Sequence, residues 1–108
     1  VPYVPGTQTV TEVKNALDYG CDVIKLFPGD ILGPRFVKDV KGPLPQANLM
    51  PSGGVDIDNI ADWIKAGVVA VSAGSSLTAP AKKGDYAGVT ANAKAFVEKV
   101  AEARAALK

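Results

Sequence analysis

A single lysine, Lys25, lies at the centre of the apolar run DVIKLFP, residues 22–28. Such a run is typical of a buried parallel strand. Because side chains alternate along a strand, Lys25 shares a face with Val23 and Phe27. Desolvation disfavours the ammonium form and favours an amine that can attack a carbonyl. The run therefore predicts a Schiff-base nucleophile. The competing interpretation is a lysine whose stem packs on apolar neighbours while its ammonium group reaches water.

Two short loops carry the residue types that bind phosphate. Ser52-Gly53-Gly54 follows one apolar run, and Gly74-Ser75-Ser76 follows the next. Glycine lets backbone N–H groups approach an anion, and serine adds a hydroxyl donor. In barrel enzymes the loops after the last two strands often form the phosphate site, with a helix N-terminus beside them. The pair predicts a phosphate site, whereas an isolated Gly-Gly is better explained as a turn.

Three further side chains have weaker claims to a function. Asp30 lies just past the Lys25 strand and could transfer a proton or pair with Lys25, although a loop carboxylate is more often solvated. Phe27 could line a substrate pocket or pack in the core. Trp63 lies beside an apolar helical stripe, which favours packing or a subunit contact over ligand binding.

Composition excludes several classes of function. The 108 residues include 12 basic and 11 acidic side chains, with no basic stripe of the kind that binds nucleic acid. No apolar run approaches the roughly 18 residues of a membrane span, and no signal-peptide pattern is present. The length allows one domain or less, and because the chain starts inside a strand-like segment without a methionine we expect a preceding portion.

The thiol and imidazole content narrows the chemistry further. The chain has one cysteine, Cys21, and no histidine. It can form neither an internal disulfide nor an ordinary zinc site. We expect Cys21 to be a small buried hydrophobe and the protein to be cytoplasmic.

Hydrophobic periodicity positions these residues on alternating strands and helices. Thr9 and Glu12 have capping-box spacing, Pro34 favours a helix start, and Asp56 or Asp58 can cap a later helix. Gly20, Gly42 and Gly67 are predicted helix ends, and a final helix includes Val89 to Val100. The predicted strands are residues 1–4, 22–27, 47–50 and 68–71.

The order of these elements predicts an α/β fold with a parallel sheet of four βα units. In such folds the loops at the carboxyl ends of the strands carry the chemistry. Four units are half of an eight-unit barrel, or nearly a small doubly wound sheet. In a half-barrel the inward candidates Val23, Phe27 and Leu49 would be covered only by further strands.

Four motifs, taken in order, carry a resemblance to a known family. They are Pro5-Gly6, Ile24-Lys25-Leu26-Phe27-Pro28-Gly29, Pro51-Ser52-Gly53-Gly54-Val55 with Asp58-Asn59, and Gly74-Ser75. Together they resemble the 2-keto-3-deoxy-6-phosphogluconate (KDPG) aldolases, which also act on 4-hydroxy-2-oxoglutarate (KHG). The likeness runs through nearly all of the chain. It corresponds to the carboxyl half of such an enzyme, from the fifth to the eighth strand of a (β/α)8 TIM barrel.

The resemblance implies a class I, Schiff-base aldolase that needs no metal or organic cofactor. Lys25 would form the imine with pyruvate, and Phe27 would line the pyruvate pocket. Ser52 stands where the family usually has threonine near the substrate. The implied phosphate-binding residues are Gly53, Gly54, Gly74 and Ser75. The family's general base, a glutamate on the second strand, has no counterpart in these residues.

The implied reaction is cleavage of KDPG to pyruvate and glyceraldehyde 3-phosphate, with KHG as a second substrate. The implied partners are the amino-terminal half of the barrel and further copies in a homotrimer, with neither nucleic acid nor membrane. Two alternatives stay open: a phosphate-binding barrel isomerase or epimerase in which Lys25 acts electrostatically, and a non-catalytic half-barrel.

Overall fold

The computed structural model describes residues 1–108 and contains a parallel sheet with helices packed on one face. Its strands are β1 (Gly6–Thr7), β2 (Ile24–Leu26) and β3 (Leu49–Pro51), in the order β1-β2-β3. In this register Lys25 lies between Gly6 and Met50. The predicted α/β fold with parallel pairing is confirmed, and Lys25 lies on the central strand.

The first and last predicted strands differ from the structure. Residues 1–4 form no strand and are exposed, because β1 begins only at Gly6 and pairs only with β2. Residues 68–71 run beside β3, where Val69 N–H donates to Leu49 O at 3.0 Å. One parallel bridge joins Ser72 to Ser52, yet no regular strand forms. Residues 68–71 have β3 on one side and no strand on the other, and residues 1–4 form no backbone hydrogen bond to any strand.

The helices follow the strands as predicted. They are α1 (Val10–Asp18), α2 (Gly29–Lys41), α3 (Ile60–Ala66), α4 (Ser75–Thr78) and α5 (Tyr86–Ala105), with a 3-10 helix at Ala79–Lys83 before α5.

The predicted helix boundaries are largely confirmed. Thr9 caps α1 in a capping box with Glu12, and Gly67 ends α3 with φ of 111°. Helix α2 begins earlier than expected, at Gly29, and breaks at Gly33, where φ is 73°. Its regular part starts at Pro34, whose missing N–H costs nothing in a first turn. The early turn places Gly29 against the loop after β3.

The predicted cap of α3 takes a different form. Asn59 is the N-cap residue. Asp56 Oδ1 accepts hydrogen bonds from the N–H groups of Asp58 (2.9 Å) and Asn59 (3.1 Å). Asp56 therefore orders the turn before the helix, while Asp58 stays exposed and accepts no backbone hydrogen bond.

The core lies on one side of the sheet. Ile24, Leu26 and Leu49 are fully buried and belong to the same hydrophobic cluster as the inner faces of the helices. Leu49 was expected on the inward face with Val23 and Phe27, and this was wrong. Its register partner is Ile24, so Leu49 points towards the helices and Met50 takes the Lys25 side.

The open face of the sheet carries the residues of functional interest. Phe27 is 51% exposed on this side, and Lys25 and Val23 are half-buried. Trp63, in contrast, is 2% exposed in the core, which confirms its packing role, and its indole Nε1 has no hydrogen-bond partner. Cys21 packs against the core as the expected small hydrophobe, although it is only partly buried. No helix is long and apolar enough to cross a membrane.

Candidate functional site

The backbone of Lys25 is held on the β1 side of β2. Its N–H donates to Pro5 O at 2.9 Å, and its carbonyl oxygen accepts from the Thr7 hydroxyl at 2.8 Å. The Lys25 Nζ lies 5.0 Å from the centroid of the Phe27 ring, within the range of a cation–π contact. The backbone of this lysine is fixed, while its amine extends from the open face of the sheet.

The amine has no carboxylate partner within the chain. The salt bridges are Lys14–Asp18 and Lys99–Glu102, both within single helices. Asp30 is exposed in the first turn of α2 and forms no salt bridge, which agrees with the favoured interpretation of a solvated carboxylate and not with pairing to Lys25. Because no carboxylate occupies it, the Lys25 side-chain nitrogen is accessible to a carbonyl substrate.

A small cleft of about 260 Å³ opens beside Lys25. It is lined by Gly6, Thr7, Gln8, Glu12, Lys25 and Phe27. The lining combines one amine, one carboxylate, one aromatic ring and backbone groups from the carboxyl end of β1. This is room for a small organic acid beside a lysine amine.

Glu12 is a cleft residue that the sequence presented only as a helix cap. Its Oε1 accepts hydrogen bonds from the N–H groups of Gln8 (3.0 Å) and Thr9 (3.1 Å) and from the Thr9 hydroxyl (3.1 Å). These contacts lower the pKa of Glu12 from its ordinary value of 4.5, with the Gln8 backbone bond the largest cause and the Thr9 hydroxyl next. A carboxylate held in this way is a weak proton acceptor.

A second cleft of about 330 Å³ lies at the carboxyl ends of β3 and of residues 68–71. Both predicted phosphate loops line it, together with Phe27. The full lining is Phe27, Ser52, Gly53, Gly54, Val55, Asp56, Ser72, Ala73, Gly74, Ser75 and Ser76. The structure thus brings together every residue predicted to contact the phosphate.

The cleft offers backbone donors in addition to its serine hydroxyls. The N–H groups of Gly53, Gly54, Gly74, Ser75 and Ser76 donate to no acceptor within the protein. Converging free N–H groups form an anion-binding concavity. Since α4 is a four-residue helix, the macrodipole expected from a helix N-terminus adds little here.

The two loops of the cleft are fixed to each other. The Ser76 hydroxyl donates to the Val55 carbonyl oxygen at 2.7 Å, which joins the start of α4 to the loop after β3. On the other side, a Cβ on Gly54 would collide with Asp30, and Gly54 has φ of 72°. Only glycine fits there, so the loop after β3 packs closely on the start of α2.

Phe27 lines both clefts. Lys25 lines only the smaller one, so the amine and the N–H-rich loops lie in two clefts that share the Phe27 ring. This arrangement suits an extended ligand with a carbonyl at one end and an anion at the other. No group of three or more histidine, cysteine or acidic side chains could hold a metal ion.

The sequence matches a known protein family. The KDPG and KHG aldolase family model matches residues 1–92. The 2-dehydro-3-deoxy-phosphogluconate aldolase of Pseudomonas aeruginosa is 33% identical over 107 residues, covering 96% of this chain and 49% of that protein. The 2-dehydro-3-deoxy-6-phosphogalactonate aldolase of Escherichia coli K12 is 39% identical over 74 residues, covering 68% of this chain and 36% of that protein.

A solved structure gives the same result for the fold. The structure described as native KDPGal superimposes with a TM-score of 0.86 at 33% identity, over 95% of this chain and 50% of that one. The chain spans about half the length, or less, of these relatives, and its parallel β/α units match about half of an aldolase TIM-barrel chain. Because the family model covers most of the residues and the fold agrees, the chain belongs to the KDPG and KHG aldolase family.

Proposed function

We propose that this chain supplies the Schiff-base lysine and the phosphate site of a class I aldolase acting on 2-keto-3-deoxy-6-phospho sugar acids. One observation carries the proposal. Lys25 opens into a small cleft that shares the Phe27 ring with a second cleft of free N–H groups. A substrate with a 2-oxo group and a terminal phosphate would place the oxo group in the Lys25 cleft and the phosphate in the cleft of free N–H groups.

The Lys25 amine adds to the C2 carbonyl, and loss of water gives a protonated imine. A base removes the proton of the C4 hydroxyl, the C3–C4 bond breaks, and its electron pair moves into the imine to give an enamine. Glyceraldehyde 3-phosphate leaves. Protonation at C3 and hydrolysis of the imine release pyruvate and restore the amine. Every step uses side chains, water and substrate.

Each cleft residue has a part in this scheme. Phe27 packs against the methyl end of pyruvate, and the Ser52 hydroxyl faces the substrate between the two clefts. The N–H groups of Gly53, Gly54, Gly74 and Ser75 hold the phosphate. Ser52 keeps the hydroxyl and lacks the methyl of the threonine usual in the family, and relatives name both gluconate and galactonate substrates. We therefore leave the sugar-acid epimer open within the proposed class, with KHG as a second substrate.

The general base is proposed to come from outside these residues. Glu12 lies in the Lys25 cleft, but its hydrogen bonds lower its pKa and oppose proton uptake. Further strands joined at the two edges of the sheet would close a barrel around its open face. We assign these residues to strands five to eight and propose that an amino-terminal half supplies the carboxylate, in an assembly that forms trimers.

Borohydride reduction in the presence of labelled pyruvate tests the lysine assignment. The complete protein should gain one pyruvyl group on the peptide that contains residue 25. Labelling should be lost in Lys25→Ala and kept in Lys65→Ala, which removes an exposed lysine on α3. Equal labelling of the two variants would show the assignment to be wrong.

A further inference from the structure

The proposed phosphate cleft contains no basic side chain. Among the residues that line it, Asp56 alone is ionisable, and it is an acid. Lys25 lines the neighbouring cleft, which shares the Phe27 ring with this one. An anion in this cleft would meet neutral N–H donors and one fixed negative charge.

The Asp56 side chain is held in place by the turn before α3, and this turn is bonded to Gly54 of the cleft. Its Oδ1 accepts the N–H groups of Asp58 and Asn59, and its own N–H donates to Asn59 Oδ1 at 2.9 Å. The Asn59 amide in turn donates to Gly54 O at 2.7 Å. Asp56 is half-buried in the wall of the cleft, and the two hydrogen bonds to Oδ1 restrict the movement of its carboxylate.

From this arrangement we propose that Asp56 is a specificity-determining residue that weakens binding of a doubly charged phosphoryl group. As a consequence, the protein prefers phosphorylated over unphosphorylated 2-oxo acids less strongly than it would with the N–H donors alone. The inference rests on the proposed function, since it concerns the phosphate cleft of that site.

The expected size follows from the dimensions of the cleft. A cavity of about 330 Å³ brings a bound anion and a lining carboxylate within roughly one Debye length, about 8 Å at physiological ionic strength. At that separation salt does not fully screen the repulsion between the two charges. In a cleft open to water, this repulsion corresponds to a change in the affinity for the anion of about three- to tenfold.

The test compares two isosteric variants in the complete protein. Asp56→Asn keeps the Oδ1 acceptor, and therefore the turn, while it removes the charge. Asp58→Asn makes the same charge change two residues away, at an exposed position that does not line the cleft. The measured quantity is the ratio of kcat/KM for KDPG to kcat/KM for the same acid without phosphate.

We expect this ratio to rise about three- to tenfold in Asp56→Asn and to stay unchanged in Asp58→Asn. An unchanged ratio in Asp56→Asn, or an equal rise in both variants, overturns the inference. If neither acid is cleaved and pyruvate is not trapped, it is the proposed function that fails.

Sulfate binding keeps the inference testable without turnover. Sulfate is doubly charged near neutral pH and has the shape of phosphate. By calorimetry the Asp56→Asn protein should bind sulfate about three- to tenfold more tightly than the unaltered protein, and added NaCl should narrow the difference. Equal sulfate affinities for the two proteins at low salt would overturn the inference.

Discussion

Gly29 donates its backbone N–H to the Ser52 carbonyl oxygen at 2.7 Å, and a Cβ on Gly29 would lie 3.0 Å from that same oxygen. The same Cβ would lie 2.6 Å from Gly53 O. The start of α2 therefore touches the loop after β3 along bare backbone. The Lys25 strand and the proposed phosphate loop are joined by this contact.

We expect Gly29→Ala to push the start of α2 away from the loop after β3. The free energy of unfolding should fall by about 1 to 3 kcal/mol, the usual cost of overpacking. Gly42→Ala is the matched control, because its Cβ would meet nothing closer than 3.4 Å and its φ is −59°. Denaturant unfolding of the complete protein measures both. An equal effect at the two positions would contradict the packing argument.

Phe27→Ala should weaken pyruvate trapping while leaving the fold intact. The ring is 51% exposed, so its removal costs the core little. Loss of contact with one methyl group, worth about 0.8 kcal/mol, should raise the pyruvate concentration for half-maximal labelling about fourfold. Tyr86→Ala, which removes an aromatic ring that is 71% exposed at the start of α5, serves as the control. If both variants trap pyruvate normally, Phe27 does not line the pocket.

Ser75→Asp should impair the use of phosphorylated substrate selectively. The change replaces a hydroxyl donor with a carboxylate in the N–H-rich cleft. Since a hydrogen bond to a charged group contributes about 1.5 to 3 kcal/mol, kcat/KM for KDPG should fall about 10- to 100-fold. Activity on unphosphorylated KHG should change little. Ala91→Asp introduces the same charge at an exposed position on α5, and a similar loss there would point to a general charge effect.

Glu12 gives a pH dependence to the stability of the protein. Hydrogen bonds from Gln8 and Thr9 lower its pKa in the folded state. A lowered folded pKa means that the ionised carboxylate stabilises the fold above its ordinary value of 4.5, and that this contribution is lost as pH falls through the folded pKa. Unfolding midpoints of the unaltered protein and Glu12→Gln should differ at pH 7 and converge as pH falls through the folded pKa of Glu12. If the difference between the two unfolding midpoints stayed constant with pH, the ionisation of Glu12 would not be its cause.

The isolated 108-residue chain should not cleave KDPG at an ordinary enzymatic rate of roughly 1 to 1,000 per second. Its residues include no proposed general base, and the Lys25 face of the sheet is open. Aldol-cleavage assays on the purified segment, alone and mixed with the amino-terminal half of a related aldolase, measure the difference. Full activity of the segment alone, as a monomer by sedimentation, would contradict the proposed need for a partner half.

Local signals predicted the helices better than the sheet. The capping box of Thr9 and Glu12 and the stop at Gly67 depend on neighbours in sequence, and both are in the structure. Strand formation depends on partners that the sequence does not identify. Residues 1–4 and 68–71 have strand-forming composition, but residues 1–4 pair with no strand and residues 68–71 have only β3 beside them, so each lies outside the regular ladder.

The orientation of β3 illustrates the same limit. Leu49 and Met50 are both apolar, so alternation alone cannot tell which of them faces the helices. The register with β2 decides it, by pairing Leu49 with Ile24. For the candidate site, residue type alone pointed to Lys25 and the two glycine loops, and the structure places them in two neighbouring clefts. Asp56 and Glu12 were seen only as helix caps, because their proximity to the clefts arises from the loop geometry.

The buried side chain of Trp63 has a practical consequence. It is the only tryptophan in the chain, it is 2% exposed, and its indole nitrogen has no hydrogen-bond partner. An indole in such dry, apolar surroundings emits fluorescence at shorter wavelengths than one in water. Trp63 lines neither cleft, so its emission should report the packing of α3 on the core and stay constant when a ligand binds. The protein thus contains an intrinsic optical probe that separates loss of folding from loss of binding in every variant above.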